Sequence, residues 1–280
     1  MNVTKHPNVH NSGNANFLFS EEFVTMKTVL VVNSSLFVYG KNDHTAGGLN
    51  LHIHCTNIHV IIVNITAQGN IGHYGGNLAL YLITFTVNSS SIVINNSRIT
   101  DGRAKKGAGL RFWSKQNQNS EESIPHIVHH TLHISKSLFK DNFAYSTGGA
   151  IYMSYDNVGT NTSLGSVGGT VRQVTIRNCN FTTNGGDGAA MEIIQFSHYI
   201  TPLAQTSVEN CIFENNFTPF YFIGPVLDLI SVEVSVTNCT FTGSNTTAIS
   251  LRNSYLKVFG DILFENNTAS TGGALKLLLV

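Results

Sequence analysis

Two aspartates, Asp101 and Asp141, stand at equivalent points of a recurring phrase, each two residues past an apolar anchor, Ile99 in one case and Phe139 in the other. On consecutive turns of a coil their carboxyls would lie near the roughly 5 Å separation of retaining glycoside hydrolysis, where one carboxyl protonates the leaving oxygen and the other attacks the sugar. The same column continues as Thr183, Asn215, Gly243 and Asn266, which do no acid–base work. It therefore reads as a solvated turn column, and the chain as a non-enzyme, with a polysaccharide lyase or glycoside hydrolase as the alternative.

Metal chemistry is equally thin. Histidines gather as His52, His54 and His59 and again as His126, His129, His130 and His133. His52 and His54 fall on one face of a strand, yet no carboxylate or cysteine accompanies them at ligand spacing, so no metal site and no cofactor are expected. Gly185-Gly186-Asp187-Gly188 occurs once, whereas calcium-binding glycine repeats depend on tandem copies. Arg103, Lys105 and Lys106 form the one basic knot and read as a solvated turn. Trp113, the sole tryptophan, reads as a strand residue beside a loop, with a sugar-stacking platform as the second reading.

Of four cysteines, Cys179, Cys211 and Cys239 each precede an anchor phenylalanine by two residues, where Ser97 and Ser137 stand in other copies. Stacked about 4.8 Å apart, they are either buried thiols or include one disulfide, and three in a column leave one unpaired. Sequons are plentiful. Asn33, Asn64, Asn88, Asn95, Asn161, Asn180, Asn238, Asn245 and Asn266 are glycosylation candidates, and this excess favours a secreted or cell-surface glycoprotein.

These residues need a frame. The chain has 280 residues with sixteen Lys plus Arg against sixteen Asp plus Glu, and only 11% charged residues, which leaves no basic field for nucleic acid. Gly, Asn, Ser and Thr are abundant and Pro is scarce, suiting short strands joined by tight turns. No run approaches the roughly 18 apolar residues of a membrane-spanning helix, the first twenty residues lack the apolar stretch of a signal peptide, and Met26-Lys27-Thr28-Val29-Leu30-Val31-Val32 resembles a signal start whose apolar part is short. The apolar run Leu275-Lys276-Leu277-Leu278-Leu279-Val280 stands in mid-repeat, so the sequence reads as part of a longer chain.

The phrase itself is an alternating strand, Asn-Cys or Asn-Ser, an apolar anchor, a polar turn, a small-residue pair and another strand. Anchors are assigned to Ile65, Ile99, Phe139, Phe181, Phe213, Phe241 and Phe264, with Phe37 as a degenerate eighth. From Phe241 to Phe264 there is room for about three short strands and three turns, one turn of a coil and too little for a strand–helix–strand unit. Small-residue clusters such as Gly107-Ala108-Gly109, Gly148-Gly149-Ala150 and Gly272-Gly273-Ala274 mark a tight corner. Residues 114–126 and 155–170 are polar insertions and the expected binding loops. Three residues past the anchor, Asn142, Asn184, Asn216 and Asn267 recur, as a stacked asparagine ladder or as independent surface turns. Asn216 is also a sequon, and a ladder position there conflicts with a glycan.

The expected fold is an all-β, right-handed parallel β-helix of about eight rungs over residues 30–280, preceded by a lead-in or irregular cap, 1–29. Phe-x-x-Asn in four copies (140s, 180s, 210s and 260s) with Gly-Gly-Ala-Ile/Leu in two resembles the repeat of chlamydial polymorphic outer-membrane proteins and of similar predicted surface proteins of sponges and other simple animals, within the pectin-lyase-like repeat class. The resemblance implies a β-helix at a cell surface with adhesion as its role. Expected partners are cell-surface proteins or glycans, and a structural spacer in a larger surface protein is a further alternative.

Overall fold

The computed structural model describes residues 15–19, 28–54, 58–84, 89–116, 128–157, 170–186, 190–196, 204–218, 224–269 and 272–278. Among them every regular element is a strand, and the strands form four sheets in which every pairing is parallel. Parallel neighbours cannot be joined by a hairpin, so each strand reaches the next in its sheet by passing once round the molecule. One complete pass is Leu110–Gln116, Val128–Ser135, Leu138–Lys140 and Phe143–Thr147, in sheets one to four. The first sheet holds nine strands, Ala15–Phe19 to Leu275–Leu278, and the second and third hold eight each. The result is a right-handed parallel β-helix of eight passes plus a final strand.

The coil begins earlier than the sequence suggests. Ala15–Phe19 pairs in register with Leu49–Ile53, and Thr28 pairs with Ile58, so the stretch taken as a lead-in already carries solenoid strand. Likewise Ser114–Gln116, Tyr155–Asn157 and Thr170 belong to strands, and the remainder of the two insertions lies outside the described residues. Both strand extensions carry polar groups inward that are satisfied there: Ser114 Oγ lies 2.7 Å from His130 Nδ1, and Tyr155 Oη donates to Met153 Sδ at 3.9 Å.

Strand alternation sends one side chain in two to the core. Leu49, Leu78, Leu110, Ile151, Met191, Leu227 and Ile249 form one buried column of the first sheet. In the third sheet Phe139, Phe181, Phe213, Phe241 and Phe264 stack face to face, with centroids 4.6–5.3 Å apart. The anchor of the second pass is Ala67, paired with Ile99, not Ile65. Ile65 is buried in the column of Ser97, Ser137 and the cysteines, and its sequence neighbourhood, Asn-Ile-Thr, mimics the anchor phrase.

Bends out of the second sheet fall on left-handed residues, among them Asn64, Asn96, Asn178, Asn210 and Asn238, and bends out of the third on Asp101, Asp141, Thr183, Asn215 and Asn266. Asn and Asp tolerate this conformation better than other side chains. The corner entering the first sheet needs glycine outright: Gly148 has φ +68°, and a Cβ there would stand 2.6 Å from the Ile151 carbonyl oxygen.

The second kind of bend removes two backbone groups from the strand ladder, the anchor carbonyl and the N–H three residues on. An asparagine from the next pass takes both. Asn184 Nδ2 donates to the Phe139 carbonyl (2.9 Å) while its Oδ1 accepts the Asn142 N–H (3.2 Å). Asn216 does the same for Phe181 and Asn184, Asn142 for Ile99 and Gly102, and Asn267 for Phe241 and Ser244. Asn142, Asn184 and Asn216 are fully buried and also bond amide to amide, at 3.0 and 3.2 Å. Asn70 holds the equivalent place under Phe37 and Gly40. Where Gly102 interrupts the column, Asn77 reaches in from another corner and bonds Asn70, the Thr100 carbonyl and Asn142.

Candidate interaction face

Because the pairings are in register, the outward residues of the first sheet form two straight columns. One runs Asn16, Asn50, Ala79, Arg111, Tyr152, Glu192, Asp228, Ser250, Lys276, and the other Leu18, His52, Tyr81, Trp113, Ser154, Ile194, Ile230, Arg252. The outer positions of the second sheet are mostly small or polar, such as Ser91, Thr131, Gln173, Ser207 and Ser235.

The face has its own apolar floor. Ala46, Ala79 and Tyr81 form a buried cluster against which Trp113 packs, separate from the main core. His52 stacks on Tyr81 at 4.4 Å, and Trp113 meets Tyr81 edge-on at 5.9 Å. Trp113 Nε1 donates to Asp156 Oδ2 at 2.6 Å, which fixes the indole. Burial, then the nearby His54, lowers the His52 pKa to about 4. Burial, then Glu192, pushes Tyr152 up to about 12. Glu192 accepts from the Thr147 hydroxyl. Asp228 is nearly enclosed and paired with Arg252, and burial raises its pKa despite that cation.

Asp101 and Asp141 lie elsewhere. Both occupy the bend between the third and fourth sheets, where Gln68 donates to Asp101 (3.1 Å), Thr183 donates to Asp141, and Lys140 stands 3.7 Å from Asp141. Asp101 and Asp141 stand at the same bend on consecutive passes, while Asp156, Glu192 and Asp228 share the outer face of the first sheet, the last two as register partners on adjacent passes. Sequence reasoning missed the last pair because their alignment follows from counting outward from each small-residue corner (Ala-Met-Glu, Val-Leu-Asp, Gly-Leu-Arg) instead of from the anchor.

The described histidine side chains do not converge. His52 and His54 have ring centroids 6.4 Å apart, His130 points inward to Ser114, His59 and His133 sit on the second sheet, and His126 and the His129 side chain lie outside the described residues. Among the described residues no group of three or more His, Cys, Asp or Glu is placed to hold a metal.

Cys179, Cys211 and Cys239 are stacked, buried free thiols, each donating to the carbonyl two residues back at 3.2–3.3 Å, as the Ser97 and Ser137 hydroxyls do. Hydrogen bonding between neighbouring thiols, then burial, pushes Cys211 up to about 12 and Cys239 upward also; the same bonding lowers Cys179. Cys55 lies outside the described residues.

Five sequons, Asn33, Asn64, Asn95, Asn180 and Asn238, fall along the corner between the second and third sheets, all exposed except the half-buried Asn95. Asn245 and Asn266 are exposed near the fourth-sheet side, and Asn88 and Asn161 lie outside the described residues. Along that corner run further amide bonds, Asn64 to Asn33, Asn96 to Asn64 and Asn238 to Asn210, at 2.7–3.2 Å.

Residues 136–154 and 261–276 match the model of the Chlamydia polymorphic membrane protein (Chlamydia_PMP) repeat. Each match covers the same part of a pass: the third-sheet strand, the ladder asparagine and the small-residue corner into the first sheet. No curated protein and no solved structure matches the chain. No helix among the described residues is long and apolar enough to cross a membrane.

Proposed function

We propose that the chain is a non-enzymatic β-helical module of a surface protein, which recognises a cell-surface protein or glycan with the outer face of its first sheet. One observation carries the reading: strand register draws the half-buried Arg111, Trp113 and Glu192 onto a single face, with the nearly buried rings of Tyr81 and Tyr152 packed beneath them. Aromatic and arginine side chains are the ones that dominate binding energy at protein surfaces. The repeat match supports a surface module, and the sequons support export. The corner rich in sequons is separated from the first sheet by the second sheet on one side and the third and fourth on the other, so glycans there leave the proposed face uncovered.

A second reading, polysaccharide hydrolysis, has Glu192 and Asp228 in its favour, since neighbouring passes lie about 4.8 Å apart, close to the carboxyl spacing of retaining enzymes. Both carboxylates are already engaged, with Thr147 and with Arg252, which favours a positioning role. The test is attachment of the immobilised chain to cultured animal cells beside a digest of plant and animal polysaccharides. Attachment without sugar release supports the first reading. Release of reducing ends that is lost in Glu192→Gln replaces it with the second, and neither attachment nor release refutes both.

A further inference from the structure

The pass between residues 103 and 115 is chemically unlike the others. It places Arg103, Lys105 and Lys106 on the fourth-sheet strand and Arg111 and Lys115 on the outer face of the adjoining first-sheet strand, five cations of the sixteen in a neutral chain. The ion pairs among the described residues are Lys41–Asp43, Lys140–Asp141, Arg252–Asp228 and Lys257–Glu233, and none uses these five.

Aromatic rings hold four of them. Arg103 lies 5.5 Å from the Phe143 centroid, Lys106 4.9 Å from Tyr152, Lys115 6.0 Å from Trp113, and Arg111 4.0 Å from Tyr74 and 5.4 Å from Tyr81. A ring face orients a cation without neutralising it. Arg111 Nε and Nη1 are buried and make no hydrogen bond, so the guanidinium is held by the Tyr74 and Tyr81 rings and keeps its charge uncompensated by any ion pair. Oriented, unpaired cations of this kind lower the ordering cost of binding an anion.

The next passes limit what that anion is. On the same face the three following passes carry Asp156, Glu192 and Asp228 in turn, so the positive strip is about one pass wide and bordered on one side by carboxylates. A phosphodiester strand needs a basic groove that tracks its backbone, and meets repulsion here instead. A sugar bearing one acidic group suits the strip, with the acid facing Lys106 and Arg111.

We infer that residues 103–115 form a binding site for an acidic glycan, one bearing carboxylate or sulfate groups, centred on Arg111 with Arg103 and Lys106 at its edge. The inference rests on the first-sheet face being the recognition face. Titration of the full chain with heparin oligosaccharide, oligogalacturonate, neutral dextran and oligothymidylate tests it, and distinguishes sulfate from carboxylate. The expected result is binding to at least one acidic glycan that weakens as salt is added. Arg111→Gln and the double change Arg103→Gln/Lys106→Gln should each weaken it by about tenfold, while Lys257→Gln, on the second sheet, leaves it unchanged. All variants are checked for unaltered thermal unfolding. No acidic-glycan binding, equal binding of dextran, preference for oligothymidylate, or unchanged affinity in folded Arg111→Gln overturns the inference. Cell attachment that persists in these variants overturns it while sparing the first-sheet reading, whereas loss of attachment by the unaltered chain removes that reading itself.

Discussion

A buried asparagine amide does for this chain what a strand neighbour does elsewhere: it satisfies backbone groups that a bend has taken out of the ladder. Asn184→Ala would leave the Phe139 carbonyl and the Asn142 N–H without partners inside the protein. At roughly 1–3 kcal/mol for each of the two orphaned groups, the expected loss is about 2–6 kcal/mol in chemical denaturation. A loss below about 0.5 kcal/mol would mean that water replaces the amide and that the ladder is not structural. His52 makes a prediction in pH. Its pKa falls from 6.5 in the unfolded chain to about 4 on folding, so between those values the unfolded chain binds more protons. Stability is therefore full above pH 6.5 and is lost as pH falls toward 4. The unfolding midpoint should drop further between pH 7 and pH 5 in the unaltered chain than in His52→Gln, and equal drops would contradict the burial argument.

Among the elements, the third sheet shows how position in the coil sets the worth of identical residues. Phe213 lies between two other rings with no exposure, whereas Phe264 is 38% exposed on the last pass. Phe213→Ala should cost about 3–5 kcal/mol and Phe264→Ala distinctly less, measured by denaturant midpoints. Equal costs would show that the last pass is covered in solution. The elements also show what was legible in advance. Asn142, Asn184 and Asn216 were readable from spacing because those passes share a short, uniform segment from anchor to ladder. Asn70 was missed because Ile65 was taken for the anchor, two residues before Ala67, and a pass with alanine at that position gives no aromatic mark. Asn77 could not be found by spacing at all, since it enters the column from a different corner. The first-sheet face was hidden for a related reason: stretches of unequal length separate one first-sheet strand from the next, so Arg111, Tyr152 and Glu192 acquire a common register only when pairing is known. Trp113 was singled out by rarity, while Arg103, Lys105 and Lys106 were read as a solvated turn because their alignment beside Arg111 and Lys115 depends on the fold.

For the whole molecule, the solenoid divides its surface by sheet. Strand pairing repeats each outward position once per pass, so residues far apart in sequence line up along the axis, and recognition can extend over a surface instead of closing in a pocket. The second and third sheets meet at a corner of asparagine turns that carries most of the exposed sequons among the described residues, while the first sheet carries the columns with Arg111, Trp113 and Glu192. The most direct measurement attaches a bulky polyethylene glycol chain to one cysteine on either face, at Lys115→Cys on the first sheet or Thr175→Cys on the second, in a Cys55→Ser background whose remaining cysteines 179, 211 and 239 are buried. Cell attachment is then compared for the two conjugates, with unmodified and mock-treated chain as references. Loss of attachment on modification at Lys115, with attachment kept on modification at Thr175, is the predicted result. Attachment kept at Lys115 and lost at Thr175 would place recognition on the second sheet and contradict the account.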